Sequence, residues 1–202
     1  GLDPRHQIGR VHSGQAVLSR FPLRDAQRIA LPQPPEYPGY YNRFYLHRAL
    51  LEAHADLGPD RSLRIIDAHL EAFHPNNRMD HANRTVEFVG QDTAHTVLLG
   101  DMNCTPVQAD LRKGFPDEPQ TDMSHDDTID RLQSIPGMTE VVPAKVYAAH
   151  EPPWFTFPAH APNRRLDYMF HGEGLTLATA RVPRLADPPS DHLPVIASFR
   201  VE

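Results

Sequence analysis

Short apolar stretches alternate with breaks rich in proline or glycine along most of the chain. Apolar runs of about four to eight residues bounded by such breaks are typical of β-strands. We therefore expect strands at residues 16–18, 46–55, 63–70, 96–99, 154–157, 165–170, 175–182 and 195–201. The run at 96–99, Thr-Val-Leu-Leu, is continuous, which indicates a buried strand.

Two segments have the spacing of a helix. Ala82, Val86 and Val89 recur at intervals of four and three residues, and Asn77 is a candidate cap for this helix. Residues 127–135 predict a second, short helix that ends at the Pro-Gly pair that follows. The whole pattern predicts a mixed α/β protein with many strands and few helices.

Composition limits the class of protein. The chain has 202 residues, of which 40% are hydrophobic, and we expect residues 1–202 to form a single domain. No apolar run approaches the roughly 18 residues of a membrane span, and residues 1–6 lack the pattern of a signal peptide. We therefore expect no transmembrane segment and favour a cytoplasmic location, with secretion left open. The single cysteine, Cys104, excludes an intrachain disulfide.

The charge balance bears on the partner. The formal net charge is -6, from 20 Lys and Arg against 26 Asp and Glu. Sequence-independent binding of nucleic acid needs a positive surface, so this balance counts against such a partner but leaves a local basic groove open. The sequence gives no indication of the oligomeric state.

Side chains with catalytic or metal-binding chemistry lie at or near the ends of the predicted strands. They are His69, Asp101, Asn103, Asp167, Asp191 and His192. Asp101 and Asn103 are alternate residues after a strand and should share a face, and Asp167 lies within an otherwise apolar strand. Buried acids are costly unless they are paired, hydrogen-bonded or bound to a metal. Their recurrence on apolar strands indicates a shared site.

Five segments of the chain resemble motifs of one family and occur in its order. They are Gly-Gln-Ala-Val-Leu-Ser-Arg-Phe-Pro at 14–22, Ala-His-Leu at 68–70, Gly-Asp-Met-Asn at 100–103, Arg-Leu-Asp-Tyr-Met-Phe at 165–170 and Ser-Asp-His-Leu-Pro at 190–194. The chain resembles the endonuclease/exonuclease/phosphatase family, which includes deoxyribonuclease-like nucleases, abasic-site endonucleases, sphingomyelinases and inositol-phosphate phosphatases. The resemblance implies an α/β (α+β) fold, a two-sheet, four-layer α/β/β/α sandwich with the active site at one end.

The resemblance also implies roles for the residues that match its motifs. The implied catalytic residues are His69, Asp101, Asn103, Asp167 and His192. His192 resembles the histidine that contacts the scissile phosphate or orients the attacking water, with Asp167 in support. Asp101 and Asp191 resemble metal-binding acids, and Asn103 and His69 resemble the phosphate-contacting pair. Arg48 is a further candidate for phosphate binding, although a solvated strand arginine is the default.

A divalent cation fits these residue types. A cation held by carboxylates neutralises the phosphate, lowers the pKa of bound water and steadies the leaving oxygen. Neutral or cationic donors can then hold the phosphate oxygens as charge builds. Oxygen ligands without a cysteine cluster suit Mg²⁺ or Mn²⁺ better than a structural zinc ion.

One part of the family pattern has no counterpart in this sequence. The family's asparagine on the opening strand and its metal-binding glutamate precede the segment that matches 14–22. Glu36, Glu52 and Glu71 all follow that segment. We therefore expect the N-terminal segment of the catalytic domain, with its strands, to be missing from this sequence.

Several of these residues also have ordinary structural interpretations. Asp101 and Asn103 could form only a turn after a strand. His69 alone would more often be a structural histidine, and Asp167 could pair with Arg164 or Arg165.

The favoured prediction is a metal-dependent phosphoester hydrolase that cleaves a small or lipid-linked phosphodiester, with a phosphomonoester substrate left open. The alternatives are a DNA or RNA nuclease and, from another class, a catalytically inactive relative that binds phosphorylated ligands or a protein partner.

Overall fold

The computed structural model describes residues 14–35, 38 and 46–202. Its strands are β1 (Leu23–Ala30), β2 (Ala49–Gly58), β3 (Arg61–His69), β4 (Thr96–Asp101), β5 (Met138–Glu140), β6 (Asp167–Gly172), β7 (Leu175–Arg181) and β8 (Ile196–Val201). Its α-helices are α1 (Pro75–Val89), α2 (Thr128–Gln133) and α3 (Ala144–Ala149), and a 3₁₀ helix spans Pro152–Trp154.

Six strands form the larger sheet, in the order β1-β2-β3-β4-β6-β5, and β7 and β8 form a second sheet. Strands β3 and β4 are parallel, with α1 between them in the chain, and the other pairs are antiparallel. A helical crossover is the usual connection between parallel neighbours. The carboxyl ends of β3 and β4 and the amino end of β6 consequently meet at one edge of the sheet.

The main core lies between the larger sheet and its helices. Ile66 and Leu98 on the sheet and Ala82, Val89 and Ile129 on the helical side are buried in one cluster. The second sheet packs near β6 on the opposite side, where the rings of His171 and Phe199 are 5.3 Å apart. The observed architecture is the predicted mixed α/β sandwich with two sheets.

Close contact between β3 and β4 depends on Gly100, whose φ is +135°. A Cβ atom at this position would lie 1.9 Å from the carbonyl oxygen of Ala68, so only glycine fits. The residues that follow this pair, His69 and Asp101, are register partners. The glycine therefore permits the approach that places two candidate site residues side by side.

Most predicted elements are confirmed within a few residues at each end. The segment at 16–18 is not a strand, and Leu18 is 95% exposed. The segment at 154–157 is also not a strand, because two prolines begin a 3₁₀ turn and only Phe157 forms an isolated bridge, with Arg164. The first helix begins at Pro75 rather than after Asn77, since proline suits a first helical position.

The pattern missed β1, β5 and α3. Nearly every residue of β1 is exposed, so it carries no alternation of apolar and polar positions, and its pairing with β2 holds it in the sheet. None of the described helices has the length and apolar composition needed to span a bilayer.

Candidate active site

Three of the predicted site residues lie in a row on adjacent strands. His69 ends β3 and is the register partner of Asp101 at the end of β4, and Asp101 in turn is opposite Asp167 at the start of β6. Directly opposed residues in a sheet point to the same face, so these side chains converge. The proximity of these three side chains depends on the order of the strands in the sheet as well as on the sequence.

His192 joins this row from the loop that precedes β8. Its Nδ1 lies 2.7 Å from Oδ2 of Asp167, and both side chains are about one fifth to one quarter exposed. Burial by itself lowers the pKa of His192, but the hydrogen bond and charge of Asp167, with the charge of Asp101, raise the pKa above its usual value. With Nδ1 donating to Asp167, Nε2 is the ring nitrogen available for other chemistry.

Asp101 is an acid whose charge is poorly compensated. Burial raises its pKa, and the nearby negative charge of Asp167 raises it further. The backbone N–H of Asn103 donates to Oδ1 of Asp101 at 2.9 Å, which opposes that rise only in part. Two carboxylates in one small space favour protonation of one of them or a bound cation.

Asn103 occupies the turn after β4 in a left-handed conformation, with φ of +51°. Asparagine tolerates this region better than most residues do. Its side-chain amide donates to the carbonyl of Leu70 at 3.1 Å, which ties the turn to the segment after β3. Asn103 therefore forms a turn after the strand, and its role in the site stays a prediction.

His69 is held in its neutral form. Burial lowers its pKa to about 4, and the positive charges of Arg48 and His192 contribute. The guanidinium of Arg48 donates to Nε2 of His69. Oδ2 of Asp101 lies 3.4 Å from that nitrogen, but a neutral imidazole that already accepts from Arg48 makes no ion pair with the carboxylate. Arg48 is thus beside the row, and its role in phosphate binding stays a prediction.

The grouping of possible metal ligands differs from the predicted one. Asp101, Asp167 and His192 offer ligand atoms that all lie within 4.8 Å of one another. Asp191, the other predicted metal ligand, is exposed, and its carboxylate lies 3.3 Å from the Ser190 hydroxyl. The opposed carboxylates of Asp101 and Asp167 fit a divalent cation, because such an ion would relieve the repulsion that raises the pKa of Asp101.

The alternative ion pairs proposed for Asp167 are not formed. Arg164 pairs with Asp117, and Arg165 pairs with Glu140 at 2.6 Å. Asp167 instead faces His192. Its carboxylate is therefore available to the site.

Three residues near the candidate site were not predicted from the sequence. Asp67 lies on β3 two residues before His69, on the same face, and burial raises its pKa to about 6. Alternation within β3 was the signal that could have found it. In a loop, Thr156 accepts from the backbone N–H of Asp167, and the ring of Phe157 packs against that of His192. No local sequence pattern predicts such contacts.

A cavity of about 360 Å³ lies beside the Asp167–His192 pair. Its other walls are mainly apolar and include Leu99, Met169 and Val195. A concave, largely apolar space with a few polar groups at one side is the usual form of a small-molecule site.

The fold is an α/β sandwich with an acidic, histidine-containing group where the ends of β4 and β6 meet. A family model described as "Endonuclease/Exonuclease/phosphatase family" matches residues 4–192. The chain belongs to this family. A comparison with curated proteins gave no match.

Solved structures with a similar fold act in different contexts. The human Nocturnin catalytic domain with bound sulfate is 17% identical, over 91% of this chain and 61% of that chain, with a TM-score of 0.62. D. rerio TDP2 complexed with a single-strand DNA product is 15% identical, over 89% and 68%, with a TM-score of 0.59. The mannosyl-6-phosphatase of Bacteroides thetaiotaomicron is 16% identical, over 89% and 67%, with a TM-score of 0.57. At these identities the likeness shows the fold, and this chain spans about three fifths to two thirds of each of those chains.

Proposed function

We propose that residues 1–202 belong to one catalytic domain of a metal-dependent phosphoester hydrolase that acts on small or lipid-linked phosphodiesters. The observation that carries the proposal is the convergence of Asp101, Asp167 and His192 within 4.8 Å, at the edge where β4 and β6 meet. Membership of the family supports the reaction class. The substrate within that class is our inference.

The Asp167–His192 pair supplies a fixed and polarised imidazole. Asp167 accepts from Nδ1 of His192 and stabilises the ring when it carries a positive charge. Nε2 can then hold a phosphate oxygen or exchange a proton with the attacking or leaving oxygen. The raised pKa of His192 suits a group that is cationic for part of the time near neutral pH.

Asn103, His69 and Arg48 are the proposed phosphate contacts. Arg48 remains charged, and its hydrogen bond to His69 places the guanidinium beside the row of acids. A neutral His69 can accept from Arg48 and adds no charge of its own. Donors placed in this way stabilise negative charge on the phosphate oxygens of the transition state.

Asp101 and Asp167 would hold the cation, with Asp191 as a further proposed ligand. Mg²⁺ or Mn²⁺ is the expected ion, since the available atoms are mostly carboxylate oxygens. When bound, such an ion neutralises phosphate charge and makes water more acidic. This role accounts for two acids placed opposite each other without an arginine between them.

The charge of the chain and the walls of the cavity favour a small substrate. Polymer nucleic acid requires several cationic side chains along a groove, whereas the net charge here is -6. The apolar walls beside His192 suit an organic substituent on the phosphate. A nuclease is the second candidate, favoured by the fold shared with D. rerio TDP2, which was solved with a single-strand DNA product.

The proposal is tested by hydrolysis of bis-p-nitrophenyl phosphate with Mg²⁺, with Mn²⁺ and after exhaustive chelation. We expect turnover only with added metal, and a loss of about 100-fold or more in kcat for His192→Ala. His160→Ala, at an exposed position, is the matched control and should behave like the parent protein. Undiminished turnover after chelation would reject the metal mechanism.

A substrate panel separates the two candidate functions. It contains small phosphodiesters, lipid phosphodiesters, plasmid DNA and single-stranded DNA, all at physiological salt. Turnover confined to the nucleic acids would replace the favoured substrate class with the nuclease. Absence of turnover on every substrate, with phosphate still bound, would favour a catalytically inactive relative.

A further inference from the structure

Thr156 is a fully buried residue that hydrogen-bonds to both segments that carry the Asp167–His192 pair. Its hydroxyl oxygen accepts from the backbone N–H of Leu166 at 3.0 Å and from that of Asp167 at 3.2 Å. Its own carbonyl accepts from the N–H of Leu193 at 2.7 Å. One residue thus fixes the backbone at the start of β6 and the backbone directly after His192.

The loop that carries His192 is held on its other side as well. The N–H of Ala159 donates to the carbonyl of Asp191 at 2.7 Å. Hydrogen bonds from the segment 156–159 therefore flank His192 in the chain, one before it and one after it. Because both neighbours of His192 are hydrogen-bonded to this segment, the backbone of His192 has little freedom to move away from Asp167.

Phe157 fixes the imidazole ring itself. Its ring centroid lies 4.7 Å from that of His192, at an interplanar angle of 49°. The guanidinium of Arg164 lies 4.5 Å from the same phenyl ring, and Arg164 is 1% exposed and paired with Asp117 and Glu118. The phenyl ring therefore packs against both a buried, ion-paired cation and the imidazole.

We propose that Thr156 and Phe157 are positioning residues for the Asp167–His192 pair. Thr156 sets the backbone positions of both partners, and Phe157 sets the plane of the imidazole, so that Nδ1 meets the Asp167 carboxylate and Nε2 is presented to the phosphate. The inference rests on the proposed function, in which His192 acts on the substrate. Misplacement of a reacting group by about 1 Å can cost roughly 100-fold in rate.

The first test compares three threonine variants by steady-state kinetics. Thr156→Val removes the hydroxyl at nearly constant volume, and kcat should fall by about tenfold or more while KM changes by less than about threefold. Thr156→Ser restores the hydroxyl and should restore most of kcat. Thr96→Val is the matched control, because Thr96 is equally buried and its hydroxyl donates to Asp92, at the opposite end of β4.

A second readout needs no turnover. Long-range ¹H–¹⁵N spectra of the chelated protein report which ring nitrogen of His192 carries the proton. We expect protonation at Nδ1, hydrogen-bonded to Asp167, in the parent and in Thr156→Ser, and loss of this signature in Thr156→Val. If the parent protein has no phosphoesterase activity, the proposed function is rejected. The spectroscopic test of positioning can still be carried out in that case.

Two phenylalanine variants cover the case in which Thr156→Val does not fold. Phe157→Leu and Phe115→Leu each remove one of the rings that flank Arg164, at 4.5 and 4.4 Å respectively. We expect only Phe157→Leu to lower kcat by about tenfold and to alter the His192 signature. Equal kcat and equal His192 spectra for these two variants, or for Thr156→Val and its parent, would overturn the proposal.

Discussion

The pKa values of two aspartates in this molecule are shifted in opposite directions, because their neighbours carry opposite charges. Asp126 and its partner Arg78 are each 2% exposed, and the guanidinium binds Oδ2 of Asp126 through Nε at 2.9 Å and Nη2 at 2.7 Å. Burial alone would raise the pKa of Asp126, but the charge of Arg78 and hydrogen bonds from Thr128 lower it. Asp101 is half-buried, with a side chain that is 17% exposed, beside another carboxylate, and its pKa is raised.

The opposite pKa shifts distinguish an acid with a structural role, Asp126, from an acid that is available for chemistry, Asp101. Arg78 also donates to the carbonyls of Glu71 and Ala72 at 2.6 and 2.9 Å, so its charge is used to fasten the segment after His69 to α1. Asp101 has a second carboxylate as a close neighbour, and the charges of His192 and Arg48 only partly offset the rise in its pKa. Acids in excess at the edge of a sheet are candidates for binding a cation, whereas a matched pair in the core is not.

The largest effect should follow from breaking the matched pair. Asp126→Ala leaves Arg78 buried without its counter-charge, and the free energy of unfolding should fall by about 3–5 kcal/mol. The change is measured by urea denaturation. Arg78→Met combined with Asp126→Ala should recover part of the loss.

An exposed pair provides the contrast for that measurement. Arg84 and Glu87 form an ion pair at 2.7 Å with side chains that are 46% and 66% exposed. Arg84→Ala should cost less than about 0.5 kcal/mol. A similar small loss for Asp126→Ala would show that the buried pair does not have the structural role assigned to it.

The second-largest effect concerns Asp101, and we expect it in the enzymatic activity rather than in the stability. Asp101→Asn should reduce kcat by about 100- to 1000-fold, which corresponds to roughly 3–4 kcal/mol of transition-state stabilisation. Stability should stay level or rise by about 1 kcal/mol, because a poorly compensated charge is removed. Steady-state kinetics and urea denaturation of the same preparation give both quantities. A stability loss as large as that of Asp126→Ala would make Asp101 a structural residue.

The strands that carry the site were predictable because their signal is local. The apolar runs that became β3, β4 and β6 each contain a candidate side chain or closely precede one, and alternation predicted which residues share a face. The opposition of Asp101 and Asp167 was not predictable from local pattern. It depends on β6 pairing with β4, a contact between residues 66 positions apart, from 101 to 167.

The supporting contacts were hidden for a similar reason. Arg78 and Asp126 are 48 residues apart, and an arginine in a helix ordinarily predicts a solvated side chain. Thr156 lies in a segment that was expected to be a strand, and it hydrogen-bonds to the backbone at the start of β6 and to the backbone directly after His192. Such contacts depend on tertiary packing, which periodicity does not report.

The smallest effect tests a third acid, Asp67, which is half-buried. Burial raises its pKa from 3.8 to about 6, so the folded state holds the proton more tightly than the unfolded state does. Well below pH 3.8 Asp67 is protonated in both states, and its burial does not lower the free energy of unfolding through ionisation. That loss of stability appears and grows as the pH rises to about 6. Asp67→Asn removes this cost. Since the side chain is partly solvated, we expect the variant to gain about 1 kcal/mol over the parent at pH 7 and little at pH 4.

His69 changes the pH dependence of stability in the opposite direction from Asp67, and the two contributions must be separated. The pKa of His69 is lowered from 6.5 to about 4, so His69 adds stability as the pH rises between these values. This contribution is common to Asp67→Asn and the parent and cancels in their difference. Urea denaturation of both proteins at pH 4, 5, 6 and 7 measures that difference, with Asp187→Asn, at an exposed position, as the matched control. A difference that is constant from pH 4 to pH 7 would mean that burial of Asp67 does not perturb its ionisation, and would place it with the compensated acids such as Asp126.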